Sequence, residues 1–536
     1  MNPRDRIFVV NNIKLPVCAS FKEAFSVAEK KLKSLGITTA ADYRIYRRST
    51  DARNKDKICF VYSIAARAAN TRITDEELLS HGVSRIIDSD GLNYEMGEEK
   101  LLAPPVIVGA GPCGLFAALL LAEAGYNPIV IERGGDVKSR IAAHSRFLRE
   151  HTLDCETNIQ FGAGGAGTFS DGKLVTRIND PISSYVLKRF VEFGAPEDIV
   201  YVAKPHIGTD ILTTVVENMI TKIRELGGKV LFNTRFERPV FSGGSVKSIK
   251  TSSGDMPVGA LILALGHSAR DTYKNLIDAG VSLEAKSFSV GMRIEHLTED
   301  IDTAMYGKMA GNSQLGHAEY NLSHNTSVRG VYTFCMCPGG EVVAAASECG
   351  GVVVNGMSKR SRDGRNSNSA VCCTVFREDY GSTPLLAIEY QRNIERRAFL
   401  SGGGGYRAPI ITLGDFLSDE LKHEPSRIMP TYMGGNVKLA SPLEYLPKTV
   451  TDAIKNSFSA FDKRISGFAA PDAVLTGPET RTSAPVRITR DNDTRVAIGY
   501  KNIYPAGEGA GYAGGITSAS VDGIKTALSV IKRYKP

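Results

Sequence analysis

The sequence predicts an α/β protein of several domains, in which one parallel sheet is assembled from segments that lie far apart in the chain. The chain has 536 residues, which is more than a single hydrophobic core normally organises. The stretch "VIVGAGPCGLF" places a glycine-rich turn between a buried strand and an apolar helix. Two similar strand-plus-glycine stretches, "LILALG" and "YPAGEGAGYAGGI", occur much later.

The first 95 residues predict a separate module with the order β-α-β-β-α-β, the ferredoxin-like pattern. Ser20 and Glu23 form a capping box that starts the first helix, and Thr74 and Glu77 form another that starts the second. Runs rich in β-branched and aromatic residues predict the strands. These strands are expected at residues 6–13, 43–50, 57–65 and 83–88.

The formal net charge of the chain is +7, and its excess of lysine and arginine lies in residues 1–70. In this segment "IFVVNN" resembles the first signature of RNA-recognition motifs, and Phe60 and Tyr62 share a strand face. The stretch "KDKICFVY" does not fit the second signature. Two interpretations remain open: nucleic-acid binding through residues 1–70, and a solvated charged face on a docking domain.

Residues 106–132 predict a dinucleotide-binding β-α-β unit. Gly109, Gly111 and Gly114 have the G-x-G-x-x-G spacing between a short buried strand and an Ala/Leu-rich helix. The first glycine allows the tight turn, the second lets the backbone approach a pyrophosphate, and the third lets the helix pack on the strand. Glu132 ends the second strand, where a carboxylate can accept hydrogen bonds from ribose hydroxyls.

The same spacing recurs in "QFGAGGAGTFSDGKL" at Gly162, Gly164 and Gly167. The residues before this stretch make a poor buried strand, and those after it make a poor helix because Gly172 and β-branched residues interrupt it. We therefore expect a glycine-rich loop that lies against a flat ligand or a phosphate. We expect no separate NAD(P) domain.

The three separated glycine segments are typical of an FAD-binding domain of the glutathione-reductase type. The chain resembles the uncharacterised FAD-dependent dehydrogenase family within that superfamily, over roughly residues 10–530. The resemblance is carried by "FGAGGAGTFSDGKL", "PHIGTDILTTVVENM", "LALGHSARDTY", "FSVGMRIEH", "YTFCMCPGGEVVAAASE", "NGMSKRSRDGRNSNSA", "RTSAPVRI" and "YPAGEGAGYAGGITSASVDG".

The resemblance implies FAD as a non-covalent cofactor and assigns its binding positions. Glu508 stands where the superfamily usually has Asp on the ribityl chain, and Ala163 replaces the Glu of the usual "GEGG" loop. The backbone of Phe236 is expected at the adenine edge. The implied cofactor residues are Gly109, Gly111, Pro112, Gly114, Glu132, Arg133, Gly162, Gly164, Gly165, Phe236, Ala264, Gly266, Gly507, Glu508, Gly514, Gly515 and Ile516.

The catalytic candidates lie within the same stretches. Cys335 and Cys337 form a C-x-C pair, which is either a redox pair at the flavin or two small residues on a strand face. We favour a structural or substrate-lining role, because residues i and i+2 of a regular strand lie about 6.5 Å apart. Residues that position an anionic substrate, move a proton or hold a domain interface are the remaining candidates: Arg293, His296, His267 and His206.

These predictions combine into an FAD-dependent oxidoreductase that transfers a hydride between flavin N5 and a small-molecule substrate, with NAD(P)H as a possible transient donor. The expected domains are residues 1–95 (ferredoxin-like module), 96–270 and 491–536 (discontinuous Rossmann-like FAD-binding domain) and 271–490 (inserted mixed α+β substrate domain). Two alternatives remain open: an RNA-binding or RNA-modifying flavoprotein, and a non-catalytic FAD-binding interaction protein.

The sequence predicts a cytoplasmic protein without a membrane anchor or metal site. The charged first residues do not fit a secretory signal, and the uncharged stretch 101–122 is interrupted by "PP" and "GAGPCG". The 9 cysteines are an odd number and include no C-x-x-C pair, which argues against a zinc ribbon and favours reduced thiols.

Overall fold

The structure is a computed structural model that describes residues 5–69, 72–86, 91–176, 178–325 and 329–536. Its first part, residues 5–86, packs two helices on an antiparallel sheet of strand order β2-β3-β1-β4. The Ser20–Glu23 capping box is present with both of its hydrogen bonds. Residues 87 and 88 of the last predicted strand lie outside the described residues. The elements are β1 (Asp5–Pro16), α1 (Phe21–Ser34), β2 (Ala41–Asp51), β3 (Cys59–Ala69), α2 (Asp75–Ser80) and β4 (Val83–Ile86).

The next part contains the predicted β-α-β unit and the segments that surround it. Its strand, helix and second strand form where the sequence predicts them, and Gly125 ends the helix with a φ of 86°. The elements are β5 (Glu99–Lys100), β6 (Val106–Val108), α3 (Pro112–Glu123), β7 (Ile129–Ile131), α4 (Val137–Glu150), α5 (Ile182–Glu192), α6 (Thr209–Glu225), β8 (Lys229–Leu231), β9 (Phe236–Ser242), β10 (Ser245–Thr251), β11 (Gly254–Pro257), β12 (Leu261–Leu263) and α7 (Arg270–Asp278).

The following part is organised by a seven-stranded sheet of order β15-β16-β19-β14-β22-β20-β21. Long strands in its centre are buried on both faces. The elements are β13 (Leu283–Ala285), β14 (Phe288–Leu297), α8 (Thr298–Tyr306), β15 (Ser323–Asn325), β16 (Gly330–Cys337), β17 (Glu341–Ala344), β18 (Val354–Met357), β19 (Asn366–Val375), α9 (Arg377–Tyr380), α10 (Pro384–Ser401), β20 (Ala408–Thr412), α11 (Leu413–Ser418), β21 (Val437–Leu439), α12 (Lys448–Asp462), β22 (Val474–Glu479) and β23 (Val486–Ile488).

The last elements of the chain are β24 (Ile503–Pro505), α13 (Ile516–Arg533) and β25 (Tyr534–Lys535), and β24 belongs to the same sheet as the β-α-β unit. A five-stranded parallel sheet of order β24-β12-β6-β7-β8 joins the distant segments, with Ile107 paired to Ile262 and Ile262 to Tyr504. Helices α3 and α13 pack so closely that a Cβ on Gly523 would collide with the backbone of Cys113. The mixed α/β fold predicted from the sequence is therefore confirmed.

The N-terminal sheet is docked on the segment that follows α5. The backbone of Arg48 donates to Tyr201 O (2.7 Å) and accepts from Ala203 N (2.8 Å), and its guanidinium lies over the Phe60 ring. Phe60 and Tyr62, the aromatic pair considered for base stacking, are buried at 5% and 1% exposure. They contribute to packing and form no exposed stacking platform.

None of the helices in the described part of the chain combines the length and apolar character needed to span a bilayer. Residues 101–122, the uncharged stretch noted in the sequence, contain β6, a glycine turn and most of α3, all of it folded against the parallel sheet.

Candidate active site

A cavity of about 1010 Å³ lies between the parallel sheet and the seven-stranded sheet. On one side it is lined by the turns that follow β6, β7, β12 and β24, at the carboxyl ends of parallel strands. On the other side it is lined by residues 332–336 of β16, by Glu479 at the end of β22 and by residues 481–483 after it. Ligands of open α/β sheets bind at this edge, so the topology places a ligand site between the two parts.

The first glycine turn has the backbone geometry that its sequence predicts. Gly109 has a φ of 108°, and a Cβ on it would collide with the carbonyl oxygen of Ala264 on the neighbouring strand. A Cβ on Gly114 would collide with Gly109 O, so this glycine allows α3 to pack on the turn. No side chain caps α3 at Gly111, which leaves the positive end of the helix available to an anion.

Glu132 joins three segments of backbone beside this turn. Its Oε2 accepts a hydrogen bond from Ala110 N (2.9 Å), and its Oε1 accepts from Gly134 N (3.0 Å) and Gly162 N (2.9 Å). A carboxylate has about four acceptor positions, so one remains for a hydroxyl in the cavity that Glu132 lines. Its role in holding the loops is one that the sequence analysis missed.

The second glycine stretch forms turns and a short 3₁₀ helix, Gly165–Phe169, and contributes no strand to the parallel sheet. Gly164 N donates to Ala110 O (2.8 Å), and a Cβ on Gly165 would lie 3.0 Å from the Cα of Gly111. The two glycine loops are therefore in direct backbone contact at one site. As expected, this stretch does not form a second nucleotide-binding unit.

Arg140 supports the second glycine loop from behind and has no counterpart in the sequence analysis. Its guanidinium is fully buried and donates only to backbone carbonyls of the loop, including Asn158 O, Ile159 O and Gly165 O. Burial lowers the pKa of Arg140 to about 9, against the attraction of Glu132. The loop carbonyls thus point toward a buried cation, and a Cβ on Gly162 would collide with the Arg140 side chain.

Arg133, expected beside the adenine, lies at one end of the cavity. Its guanidinium is stacked 4.3 Å from the centre of the Phe161 ring and forms ion pairs with Glu156 (2.9 Å) and Asp271 (2.8 Å). Phe236 lines the same cavity at the start of β9. This end offers flat surfaces and a fixed cation, which suit a purine ring.

The helix α13 begins at the cavity wall, where Gly514, Gly515 and Ile516 line it. No side chain caps it at Gly515, which has a φ of 112°, and a Cβ on Gly514, Gly515 or Gly266 would meet no atom within 4 Å. Burial raises the pKa of Glu508 to about 7, and Lys286 opposes the shift. An uncapped helix beside open space fits an electron-rich ring edge such as flavin O2.

The structure brings most of the implied cofactor residues to this cavity. Four of them do not line it: Gly114, Gly162, Gly164 and Gly507. The residues that line it are Gly109, Gly111, Pro112, Glu132, Arg133, Gly165, Phe236, Ala264, Gly266, Glu508, Gly514, Gly515 and Ile516.

The C-x-C pair departs from the regular strand assumed in the sequence analysis. The pairing of β16 with β19 shifts register between Phe334 and Cys337, and Cys335 has a φ of 46°. Such a bulge redirects side chains, and Cys335 lines the cavity while Cys337 is buried. The neighbouring Cys337 thiol, whose Sγ donates to Cys335 O (3.3 Å), and Arg293 lower the pKa of Cys335 to about 6, although burial acts in the opposite direction. The separation argument for a regular strand therefore does not apply to these two residues.

Of the three candidate histidines, one lines the cavity and two do not. His267 lines the cavity, and burial lowers its pKa to about 3, so it is neutral and bonded to Ser268 Oγ (2.9 Å). Arg293 is fully buried and paired with Glu479 (2.9 Å), a cavity residue. His206 is bonded to Arg360 O (3.3 Å), and His296 to Phe468 O (2.8 Å). Neither of these histidines is brought to the cavity wall.

Lys173 is a cavity residue that the sequence analysis did not single out. Its ammonium lies 2.7 Å from the Asp171 carboxylate, which is itself paired with Arg362 (2.6 Å). Arg362 is also paired with Glu319 (2.6 Å), another cavity residue. In the sequence, only the string "FSDGKL" indicates this lysine. Its ion-pair network depends on Arg362 and Glu319, which are far from it in the chain.

Two family profiles match the chain. Residues 103–157 match the profile described as "FAD binding domain", and residues 287–482 match "FAD-dependent protein, C-terminal domain-like". The first covers the β-α-β unit, and the second covers the seven-stranded sheet up to the cavity residues after β22. Together with the cavity, they define this protein as an FAD-dependent protein, with FAD as its cofactor.

The chain is 45% identical over 540 residues to a protein of Clostridium beijerinckii, titled "Uncharacterized protein". The alignment covers 98% of both chains. The present chain therefore belongs to the same family, a family of FAD-dependent proteins that carries these two regions.

Solved structures that are similar to this chain match it at low identity and with low TM-scores. L-amino acid deaminase from Proteus vulgaris is 12% identical, with 83% of this chain and 97% of that chain covered, and a TM-score of 0.33. Glycine oxidase from Bacillus cereus is 11% identical, with 81% and 98% covered and a TM-score of 0.32. L-proline dehydrogenase from P. horikoshii is 13% identical, with 81% and 92% covered and a TM-score of 0.31.

Proposed function

We propose that the protein transfers a hydride between FAD and a small-molecule substrate that binds in the half of the cavity formed by the seven-stranded sheet. One observation carries this proposal: a single cavity of about 1010 Å³ is lined by the FAD-binding turns and by β16 and the segment after β22. When bound, FAD supplies a hydride donor or acceptor at N5. The protein residues orient the two reactants and exclude water.

The uncapped helices would hold the two ends of the cofactor. We assign the pyrophosphate to the α3 N-terminus at Gly111 and the neighbouring Gly165, and the flavin O2 to the α13 N-terminus at Gly515. The remaining acceptor position of Glu132 would receive a ribose hydroxyl. Glu508 would contact the ribityl chain, where a carboxyl with a pKa near 7 can either donate or accept a hydrogen bond.

Cys335 is the residue to which we assign proton transfer with the substrate. It lines the substrate half, its side chain is redirected by the bulge in β16, and its lowered pKa makes the thiolate available near neutral pH. Lys173 and Arg293 provide positive charge near it. Cys337, whose pKa is raised well above its ordinary value by its interaction with Cys335, would remain a hydrogen-bond donor.

The proposed domains follow from the separation of the FAD-binding residues and the substrate-binding residues along the chain. We assign FAD binding to residues 96–270 and 491–536, and substrate binding to residues 271–490. Residues 1–95 would form a ferredoxin-like docking module, because the described strands β1–β4 have the order β2-β3-β1-β4 and the sheet contacts the chain at Tyr201. NAD(P)H, if used, would enter the substrate half transiently.

The proposal is tested by anaerobic titration of the bound flavin. Dithionite defines full reduction, and NADH, NADPH and panels of small metabolites are then tested as donors to the oxidised protein or acceptors from the reduced protein. Turnover by at least one small molecule, slowed at least tenfold in Cys335→Ser with the flavin content unchanged, is expected. A flavin that no donor reduces would instead favour an interaction protein without turnover. RNA retained at moderate salt would favour the RNA-modifying alternative.

A further inference from the structure

A second pair of thiols lies outside the FAD cavity. The Sγ atoms of Cys155 and Cys349 are 2.8 Å apart, although 194 residues separate them in the chain. Cys349 is exposed and Cys155 is half-buried. Both lie in turns outside the helices and strands, so a small backbone adjustment can bring the sulfurs to the bonding distance of about 2.05 Å.

The two cysteines belong to different parts of the molecule. Cys155 follows α4 and precedes Glu156, whose carboxylate binds Arg133 at the adenine end of the FAD cavity. Cys349 lies between β17 and β18 and follows Glu348, whose carboxylate binds Arg270 (2.8 Å). A bond between the two sulfurs would tie the segment that carries the second glycine loop to the part built around the seven-stranded sheet.

A separate cavity of about 360 Å³ gives access to this pair. Cys155 and Cys349 both line it, together with Arg392 and Arg396. Arg133 and Phe161 line this cavity as well as the FAD cavity. A small thiol or disulfide can therefore reach the cysteines, and Arg133 and Phe161 lie in the wall of the same cavity.

The two thiols have unequal roles. Burial and the neighbouring Cys349 raise the pKa of Cys155 to about 12. Cys155 therefore keeps its proton near neutral pH, whereas the exposed Cys349 is the sulfur that solvent-borne reagents meet first. This asymmetry suits an attacking thiol followed by a resolving thiol.

We propose that Cys155 and Cys349 form a reversible disulfide by exchange with low-molecular-weight dialkyl disulfides, and that this bond slows the release of FAD. The Cys349 thiolate attacks one sulfur of the reagent, breaks its S–S bond and releases one thiolate. Cys155 then attacks Cys349 in the mixed disulfide, releases the second thiolate and transfers its proton to solvent. Two electrons pass from the protein thiols to the reagent, which becomes two thiols.

The effect on FAD follows from the position of the bond. Arg133 lines both cavities and is held by Glu156, next to Cys155, and by Asp271. Release of FAD would require the segment with Glu156 and the second glycine loop to move. A covalent tie at residue 155 restricts this opening. We expect FAD dissociation to be several-fold slower in the oxidised protein.

The test uses the full-length holoprotein with oxidised glutathione, and with cystamine as a cationic disulfide. Peptide mapping should find a Cys155–Cys349 cross-link and a loss of two titratable thiols, both reversed by dithiothreitol. FAD release into an excess of an FAD-binding apoprotein, such as apo-D-amino acid oxidase, should slow only in the cross-linked form. Cys155→Ser and Cys349→Ser should lose both effects, whereas Cys18→Ser, a change at another exposed cysteine, should keep both.

Three outcomes would overturn the proposal. In the first, Cys349 carries a stable glutathione adduct while Cys155 remains free. In the second, neither reagent consumes the pair under conditions that oxidise exposed thiols. In the third, the cross-link forms but FAD release keeps the rate of the reduced protein, which would remove the proposed link to the cofactor.

Discussion

The backbone N–H of Gly162 donates a hydrogen bond to Oε1 of Glu132 (2.9 Å), and this contact joins the two glycine loops. The other oxygen of the same carboxylate holds Ala110 in the first loop. Glu132, at the end of the second strand, therefore holds the two glycine loops together and is also a candidate contact for the ribose. This dual role changes what its removal should do.

Glu132→Ala should lower both the stability of the protein and its retention of FAD. It leaves three backbone N–H groups without their acceptor, at a cost of roughly 1–3 kcal/mol for each group that water cannot reach. Thermal denaturation of the apoprotein and fluorescence titration with FAD measure the two effects. Glu132→Gln retains one acceptor oxygen, so its stability and FAD affinity should lie between those of Glu132→Ala and wild type. An apoprotein of wild-type stability would show that Glu132 acts on the cofactor alone.

Gly514→Val should weaken FAD binding at least tenfold without destabilising the apoprotein. Its φ lies outside the left-handed region, and a Cβ would meet no protein atom within 4 Å, so the new side chain would occupy cavity space. Gly91→Val is the matched control, because it also adds a side chain in open space but lies outside the cavity. Equal FAD affinity in the two variants would place the flavin elsewhere.

The sequence predicted the elements whose signals are local. The β-α-β unit at 106–132 and the Ser20–Glu23 capping box depend on residues a few positions apart, and both form as predicted. The resemblance to FAD-dependent proteins identified the cofactor from long strings of residues. These elements can be predicted because residues close together in the sequence determine them.

The contacts that the sequence did not reveal join residues distant in the chain. Arg140 meets carbonyls about twenty positions later, and Asp171 meets Arg362 from another part of the protein. The bulge at Cys335 also depends on how β16 pairs with β19. A strand pattern shows which residues alternate but does not show where the register shifts, so the regular strand assumed for the C-x-C pair was wrong.

Glu508→Gln should stabilise the apoprotein above pH 7 and have little effect near pH 4. Burial raises the pKa of the folded carboxyl from 4.5 to about 7. Between these values the unfolded chain ionises first, so wild-type stability falls as pH rises through this window. We expect the difference between variant and wild type to reach about 3 kcal/mol at pH 8. Urea denaturation from pH 4 to 8 measures it, and Glu98→Gln, at an exposed position, should show no such trend.

A chain that begins at residue 96 should still bind FAD. The described residues of the N-terminal sheet do not line the FAD cavity. Their contacts with the remainder include those of Arg48 with the segment at Tyr201. We expect a flavin spectrum and an FAD affinity within about threefold of the full-length protein. The fold of the shortened chain is checked first by circular dichroism. A well-folded shortened chain that lacks flavin would show that the N-terminal sheet supports the cofactor site.

The Cys335 thiol should react with iodoacetamide with a pH midpoint near 6 in the apoprotein. The interaction with the neighbouring Cys337 thiol is the main cause of this lowered pKa, and Arg293 adds to it. Thiolate reacts and thiol does not, so the rate should rise through pH 6 and level off by about pH 8. Cys337→Ala removes the donor and should move the midpoint upward by at least one pH unit. Mass spectrometry of the Cys335 peptide gives the rate separately from the other cysteines. A midpoint near 9 in both proteins would contradict the assignment of Cys335 as the proton-transferring residue, and it would leave the cavity with a neutral thiol at that position.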